Sequence, residues 1–319
     1  MSIWCGGSFI RASERLFRSK ARPFTPETHK SKDDMPTMGG LFIIGMVTLN
    51  VLLWCNLTDL KVWLFLLLFI GFGLIGFADD WGKVKRGQGI SAAMKFSLQC
   101  LVALVVLWLL VVFGEVAPAI CFPFFKSICL LLGWWFLAWG AVVIVGCSNA
   151  VNLTDGLDGL AVGSLIPNFA TFALICYLSG HKFLAEYLHI AFAHTDQVAI
   201  ISAILLGASL GFLWFNTYPA QIFMGDVGSL ALGSALAYIA LCTKQELILL
   251  ISGGLFVAET LSVILQVGSY RLLGRRLFRM APMHHHFELL GWPESRITAR
   301  FGIISLVLCL LALITLKLR

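Results

Sequence analysis

Acids and amides set at short, regular spacing between apolar runs are the part of this 319-residue chain that could do chemistry. The stretch from Asn149 to Leu160 reads NAVNLTDGLDGL and places Asn152, Asp155 and Asp158 three residues apart. On a helix that spacing makes a narrow stripe, each step offset by about 60°. Asp79 and Asp80 form an adjacent pair at the end of the apolar run from Gly71 to Ala78, with Lys83 close behind. Asp226 in FMGDVGS and the triplet His284-His285-His286 complete the candidates. A carboxylate in apolar surroundings is costly unless it is paired, metal-bound or solvated. Acids in such places point to chemistry before architecture.

Adjacent carboxylates raise one another's pKa unless a cation lies nearby. Asp79 and Asp80 therefore suit a divalent ion, a general base, or both. Lys83 could offset their charge or contact a phosphate, and Lys95 of the same loop is counted with it. Asp226 taken alone reads as a helix N-cap. Consecutive helical residues project about 100° apart, so His284, His285 and His286 do not easily share one ion. No HExxH spacing exists either; contacts to a phosphate or carbonyl fit these imidazoles better. The oxygen-rich remainder suits Mg²⁺, with Mn²⁺ as a substitute, more than zinc. Together these groups suggest phosphoryl transfer from a polar donor to a lipid acceptor. The donor is not held by a P-loop, because GxxxxGK[ST] does not occur.

What must position these residues is a membrane fold. The chain is 59% hydrophobic and 13% charged, with a mean hydropathy of +0.90, against about 25% charged residues in soluble proteins. A span needs about 20 mostly apolar residues. Nine segments qualify, at 41–57, 61–77, 96–113, 128–147, 159–179, 198–215, 227–242, 247–267 and 301–318. The expectation is a single all-α polytopic domain over residues 1–319. Met1 to Ile10 are too short to span and lack the pattern of a signal peptide; they are the stump of a span or lie at the surface. The nine cysteines form no CxxC pair and mostly fall in apolar runs, which reads as buried thiols without a disulfide framework.

Lys and Arg crowd cytoplasmic loops. With residues 11–40 on the cytoplasmic side, alternation adds 78–95, 148–158, 216–226 and 268–300. Seventeen of the 23 basic residues then lie on that side and six on the other. Every polar motif falls in one of those loops, so distant segments are expected to converge on a single cytoplasmic cleft. The loops of the opposite side read as mixed and unpatterned. Topology and anionic lipid headgroups account for the basic residues, and no nucleic-acid role is implied.

The segments NAVNLTDGLDGLA, GFLWFNTYPAQIFMGDVGSLALG, ETLSVILQVGS and RMAPMHHHFELLGWPESR resemble the polyprenyl-phosphate N-acetylhexosamine-1-phosphate transferase superfamily. The triple-histidine segment is similar to its phospho-N-acetylmuramoyl-pentapeptide-transferring branch. The resemblance runs from about Pro36 to the C-terminus. It implies transfer from UDP-N-acetylmuramoyl-pentapeptide to undecaprenyl phosphate, giving lipid I and UMP with Mg²⁺. It implies catalytic roles for Asp79, Asp80 and Asp226, with Asp226 as the metal ligand. Asn152, Asp155 and Asp158 match the stripe near the nucleotide sugar. Lys32, Thr37, Asn216, Phe223, Gln266, His284 and His285 match positions lining the substrate cleft. The family's arrangement is ten membrane helices, usually dimeric, in the bacterial plasma membrane; here the first helix reads as truncated. Met35 stands where the family usually has Thr.

Two other functions compete. An ion-coupled transporter would carry its acids near the bilayer midplane between inverted repeats, whereas these collect at helix ends. A sibling transferase would use UDP-N-acetylglucosamine. Within the transferase reading, Asp79 would deprotonate or orient the lipid phosphate for direct attack. The rival route passes through a transiently phosphorylated aspartate, Asp80 or Asp226.

Overall fold

The computed structural model describes residues 2–16, 36–122 and 129–317. Lys32 and Met35 lie outside them. The described elements are α1 (Ser2–Leu16), α2 (Gly39–Trp54), α3 (Leu60–Arg86), α4 (Ala92–Val112), a hairpin of β1 (Ala119–Cys121) and β2 (Cys129–Leu131), and α5 (Trp135–Thr154). They continue with α6 (Leu160–Gly180), α7 (Lys182–Leu188), α8 (Asp196–Asn216), α9 (Gly225–Cys242), α10 (Glu246–Ser252), α11 (Gly254–Leu273), α12 (Met283–Glu288) and α13 (Glu294–Thr315). The fold is an all-α polytopic bundle with one small hairpin.

Among the described residues, seven helices are long and apolar enough to cross a membrane: α3, α4, α5, α6, α8, α9 and α13. The pair α10 and α11, bent by 81°, gives an eighth if taken as one span. The expected count of nine is corrected. Segment 41–57 becomes α2, a helix of 16 residues that starts directly after the left-handed Met38 (φ 66°) and already ends at Trp54. Segment 128–147 loses its start to β2, and α5 begins only at Trp135.

The centre of the bundle is α9, with 89% of its apolar window buried, against 28% for α4 and α13 at the rim. Its small residues explain the position. A Cβ on Gly40 of α2 would stand 2.1 Å from the backbone nitrogen of Gly228. One on Gly76 of α3 would stand 2.3 Å from the carbonyl oxygen of Asp226. In a membrane such close backbone approach, rather than hydrophobic expulsion, drives helix association. Here it sets the start of α9 beside the acid-bearing end of α3.

α1 runs along α8, with Ser2 against Gly211 and Gly6 against Phe215. Ser13 Oγ donates to the carbonyl of Thr37 at 3.0 Å, tying α1 to the loop before α2. The end of the bundle away from the acids is ordered too, contrary to its unpatterned sequence. Lys61 is buried there, 3.0 Å from Glu115 and donating to the His194 carbonyl at 2.9 Å. Lys244 donates to the Ala117 carbonyl and lies 4.2 Å from the ring centroid of Phe136. Cys121 and Cys129 face each other across the hairpin and form a disulfide. That corrects the reading of the cysteines: strand pairing, which their spacing of eight did not announce, brings the two sulfurs together.

Candidate active site

At one end of the bundle, Asp79, Asp80 and Asp226 each offer a carboxylate oxygen, and those oxygens lie within 4.8 Å of one another. Two ammonium groups thread between them. Lys83 Nζ is 2.6 Å from Asp79 Oδ2, 3.1 Å from Asp80 Oδ1 and 2.9 Å from Asp226 Oδ2. Lys95 Nζ is 2.5 Å from Asp226 Oδ2 and 3.6 Å from Asp79 Oδ2. Three acids this close repel strongly in low dielectric. The two lysines offset that repulsion, and both acids of α3 are buried.

Backbone and amide donors finish the constellation. Ile90 N–H donates to Asp79 Oδ1 at 2.9 Å and Val227 N–H to Asp80 Oδ2 at 3.3 Å. Asn152 Nδ2 donates to Asp226 Oδ1 at 3.0 Å and to Ser229 Oγ at 2.8 Å. Asp226 stands in the first turn of α9, where the helix dipole favours a negative charge. Gly225 has φ 73°, and a Cβ there would meet Asp80 Oδ2 at 2.5 Å and Thr37 Oγ1 at 3.5 Å. Only glycine satisfies both demands. Phe223 joins the site through its backbone: its N–H donates to Pro36 O at 3.0 Å, and its carbonyl accepts from Gly39 N–H at 2.8 Å.

The predicted stripe of Asn152, Asp155 and Asp158 does not form. α5 ends at Thr154, so only Asn152 keeps a helical direction. Asp155 caps α5 and keeps part of its surface open. Burial, then the charges of Asp226, Asp80 and Asp158, push its pKa up to about 8. Asp158 turns inward. Its carboxylate accepts from Ala220 N–H at 3.0 Å while its own N–H donates to Glu294 Oε1 at 2.7 Å. Asn216 is buried as well, accepting from Gly159 N–H at 3.1 Å and donating to Ile222 O at 2.9 Å. Both residues hold the loops around the acids.

The family model described as Glycosyl transferase family 4 matches residues 62–244, more than half of the chain. The chain belongs to this family. It is the family of MraY and related polyprenyl-phosphate hexosamine-1-phosphate transferases, so the chain is a phosphoglycosyl transferase. The matched span holds all three clustered aspartates, both lysines and the Asn152–Asp158 loop. Glycosyl transferase family 4 members are usually metal-dependent. Three convergent carboxylates are a fitting donor set for a hard divalent ion, and Asp79, Asp80 and Asp226 would hold it.

The histidines lie beyond the matched span and do not act as a block. His284 is fully buried. His285 Nδ1 lies 2.6 Å from Glu288 Oε2. His286 Nδ1 accepts from Arg279 N–H at 3.2 Å, and its ring stands edge-on to Phe278 and Phe287. Gln266 spends its whole amide on the backbone: Leu277 and Phe278 N–H donate to it at 3.0 and 2.8 Å, and it donates to Phe278 O at 3.0 Å. It pins the returning basic loop rather than projecting from it. Three partners escape the sequence reading: Ser229, Glu294 and Glu259. Of these Glu259 had a signal, because an ionisable residue inside an apolar span is a functional candidate on that ground alone.

Proposed function

We propose that this transferase moves phospho-N-acetylmuramoyl-pentapeptide from its UDP carrier to undecaprenyl phosphate, releasing UMP and leaving lipid I. The observation that carries the transfer chemistry is the Asp79, Asp80 and Asp226 cluster, threaded by Lys83 and Lys95 at one end of a membrane bundle. Choice of the muramoyl-pentapeptide donor rests on the segment RMAPMHHHFELLGWPESR and its resemblance to that branch.

In this reading Asp79 orients the lipid phosphate or takes its proton, and a phosphate oxygen attacks the β-phosphorus of the donor. The bond from that phosphorus to the bridging oxygen breaks, and UMP departs. Lys83 and Lys95 already stand beside the acids and would turn toward the diphosphate as its charge shifts. Asp226, oriented by Asn152, would be the main ligand of Mg²⁺. When bound, the ion supplies charge neutralisation on the diphosphate. Asp155, with its raised pKa and open face, would contact the donor rather than the metal. Thr37, Phe223, His285 and His286 would line the cleft.

The basic bias of the motif-bearing loops supports placing this cleft on the cytoplasmic face of a bacterial plasma membrane. A homodimer is part of the same proposal. The test is donor choice. Purified protein with Mg²⁺ and undecaprenyl phosphate is offered UDP-N-acetylmuramoyl-pentapeptide or UDP-N-acetylglucosamine, and UMP is measured. Release from the first alone is expected; release from the second alone would assign the chain to the sibling reaction, and release from neither would remove the proposal.

A further inference from the structure

One buried acid in the membrane-embedded part of the chain touches none of the reacting groups. Glu259 of α11 is 0% exposed. Its Oε2 accepts from Met283 N–H at 2.5 Å, and its Oε1 accepts from His284 N–H at 3.2 Å and lies 3.2 Å from His284 Nδ1. A carboxylate that collects two backbone N–H groups is an acceptor, so Nδ1 of His284 carries the proton and donates. The ring is thereby fixed in one tautomer and one direction.

The other ring nitrogen shows what that direction is for. His284 Nε2 is buried and has no hydrogen-bond partner. It is pressed onto Gly156, where a Cβ would stand only 2.2 Å away. Gly156 directly follows Asp155 at the end of α5. A continuous chain of contacts thus runs from Glu259 through His284 to the acidic loop. It crosses from α11, which is bent by 81° from α10, to the loop that carries Asp155.

We propose that Glu259 is a positioning residue of the donor site. Through His284 it holds α12 against Gly156, which fixes where His285 and His286 stand relative to Asp155. The proposal rests on the transferase reading above and deepens it by assigning this clamp to the nucleotide-sugar side, not to the lipid side. A glycine is required at residue 156 because the imidazole occupies the space of a side chain. An acid is required at residue 259 because a neutral amide would turn its NH2 toward either the Met283 N–H or the two N–H groups of His284.

Glu259→Gln and Gly156→Ala in the full-length purified protein test both ends of the clamp. The readouts are KM for the UDP donor, KM for undecaprenyl phosphate, the dissociation constant of UMP without turnover, and thermal stability. Each variant is expected to raise the donor KM and the UMP dissociation constant about ten-fold or more, the worth of one charge-assisted hydrogen bond. The lipid KM should stay within about two-fold of wild type. An unchanged donor KM and UMP affinity in both variants would overturn the proposal, as would an equal rise in both KM values. Should Glu259→Gln fail to fold, Gly156→Ala decides alone. If wild type neither binds UMP nor releases it from any UDP-sugar, the transferase reading itself falls; a working wild type matched by both variants removes only the clamp.

Discussion

Lys83 Nζ and Asp226 Oδ2 lie 2.9 Å apart, a bond that bridges 143 residues of sequence. It joins α3 to the start of α9, and the same ammonium reaches Asp79 and Asp80. Without it, the three crowded carboxylates keep, among the described residues, only Lys95 as counter-charge. Anything that binds the folded state alone stabilises it by mass action. Lys83→Ala is therefore expected to lower the melting temperature in metal-free buffer and to gain more from added Mg²⁺ than wild type does. Thermal melts with and without the ion check this. An equal gain in both proteins would speak against a shared charge balance.

Close packing of α3 on α9 sets the position of Asp226. A Cβ on Gly76 would collide with backbone at 2.3 Å, whereas one on Gly45 of α2 meets nothing within 4 Å. Backbone cannot yield as a flexible side chain can, and overpacking costs about 1–3 kcal/mol. Gly76→Ala should lower both the melting temperature and UMP release. Gly45→Ala should hold within about 1 kcal/mol of wild type, since alanine favours a helix. Melts and activity measured on the pair separate a register effect from a generic glycine effect.

Asp155 gives a pH signature. Its pKa is raised from 3.8 to about 8 by burial and by neighbouring acids. Between those values the folded state holds a proton that the unfolded state has lost, so this residue's contribution to stability falls as pH rises. The favourable part is fully present below about pH 4 and is gone above about 8. Asp155→Asn is thus expected to raise the melting temperature relative to wild type at pH 9 and to change it little at pH 4. A divalent ion among the acids should pull the wild-type transition to lower pH. A difference between variant and wild type that does not vary with pH would contradict the assignment.

The spans and the acid clusters were legible because hydropathy and isolated charge are local properties. Convergence of Asp79, Asp80 and Asp226 on one end also followed from alternation of the helices across the membrane. Direction was not legible. Asn152, Asp155 and Asp158 share a spacing, yet the helix stops between the first and second, and Asp158 turns away to cap Ala220. His284 looked like its neighbours in the triplet, but only a contact with Glu259, 25 residues earlier, reveals it as a buried strut. The Cys121–Cys129 disulfide depends on strand pairing inside a stretch whose apolar character suggested a helix. In each case the deciding fact is where the chain turns, which residue type and period do not encode.

The most direct measurement is UMP release and lipid product formation in membranes carrying wild type or Asp226→Asn, with both proteins matched for melting temperature. The variant keeps the size of the side chain and its contact with Asn152 but removes the charge on which Lys83 and Lys95 converge and which would hold a divalent ion. Wild type should transfer, and Asp226→Asn should fall to background, a loss of about 10³-fold or more. A folded Asp226→Asn that keeps even about one tenth of wild-type transfer would contradict the central place given to the three-carboxylate cluster.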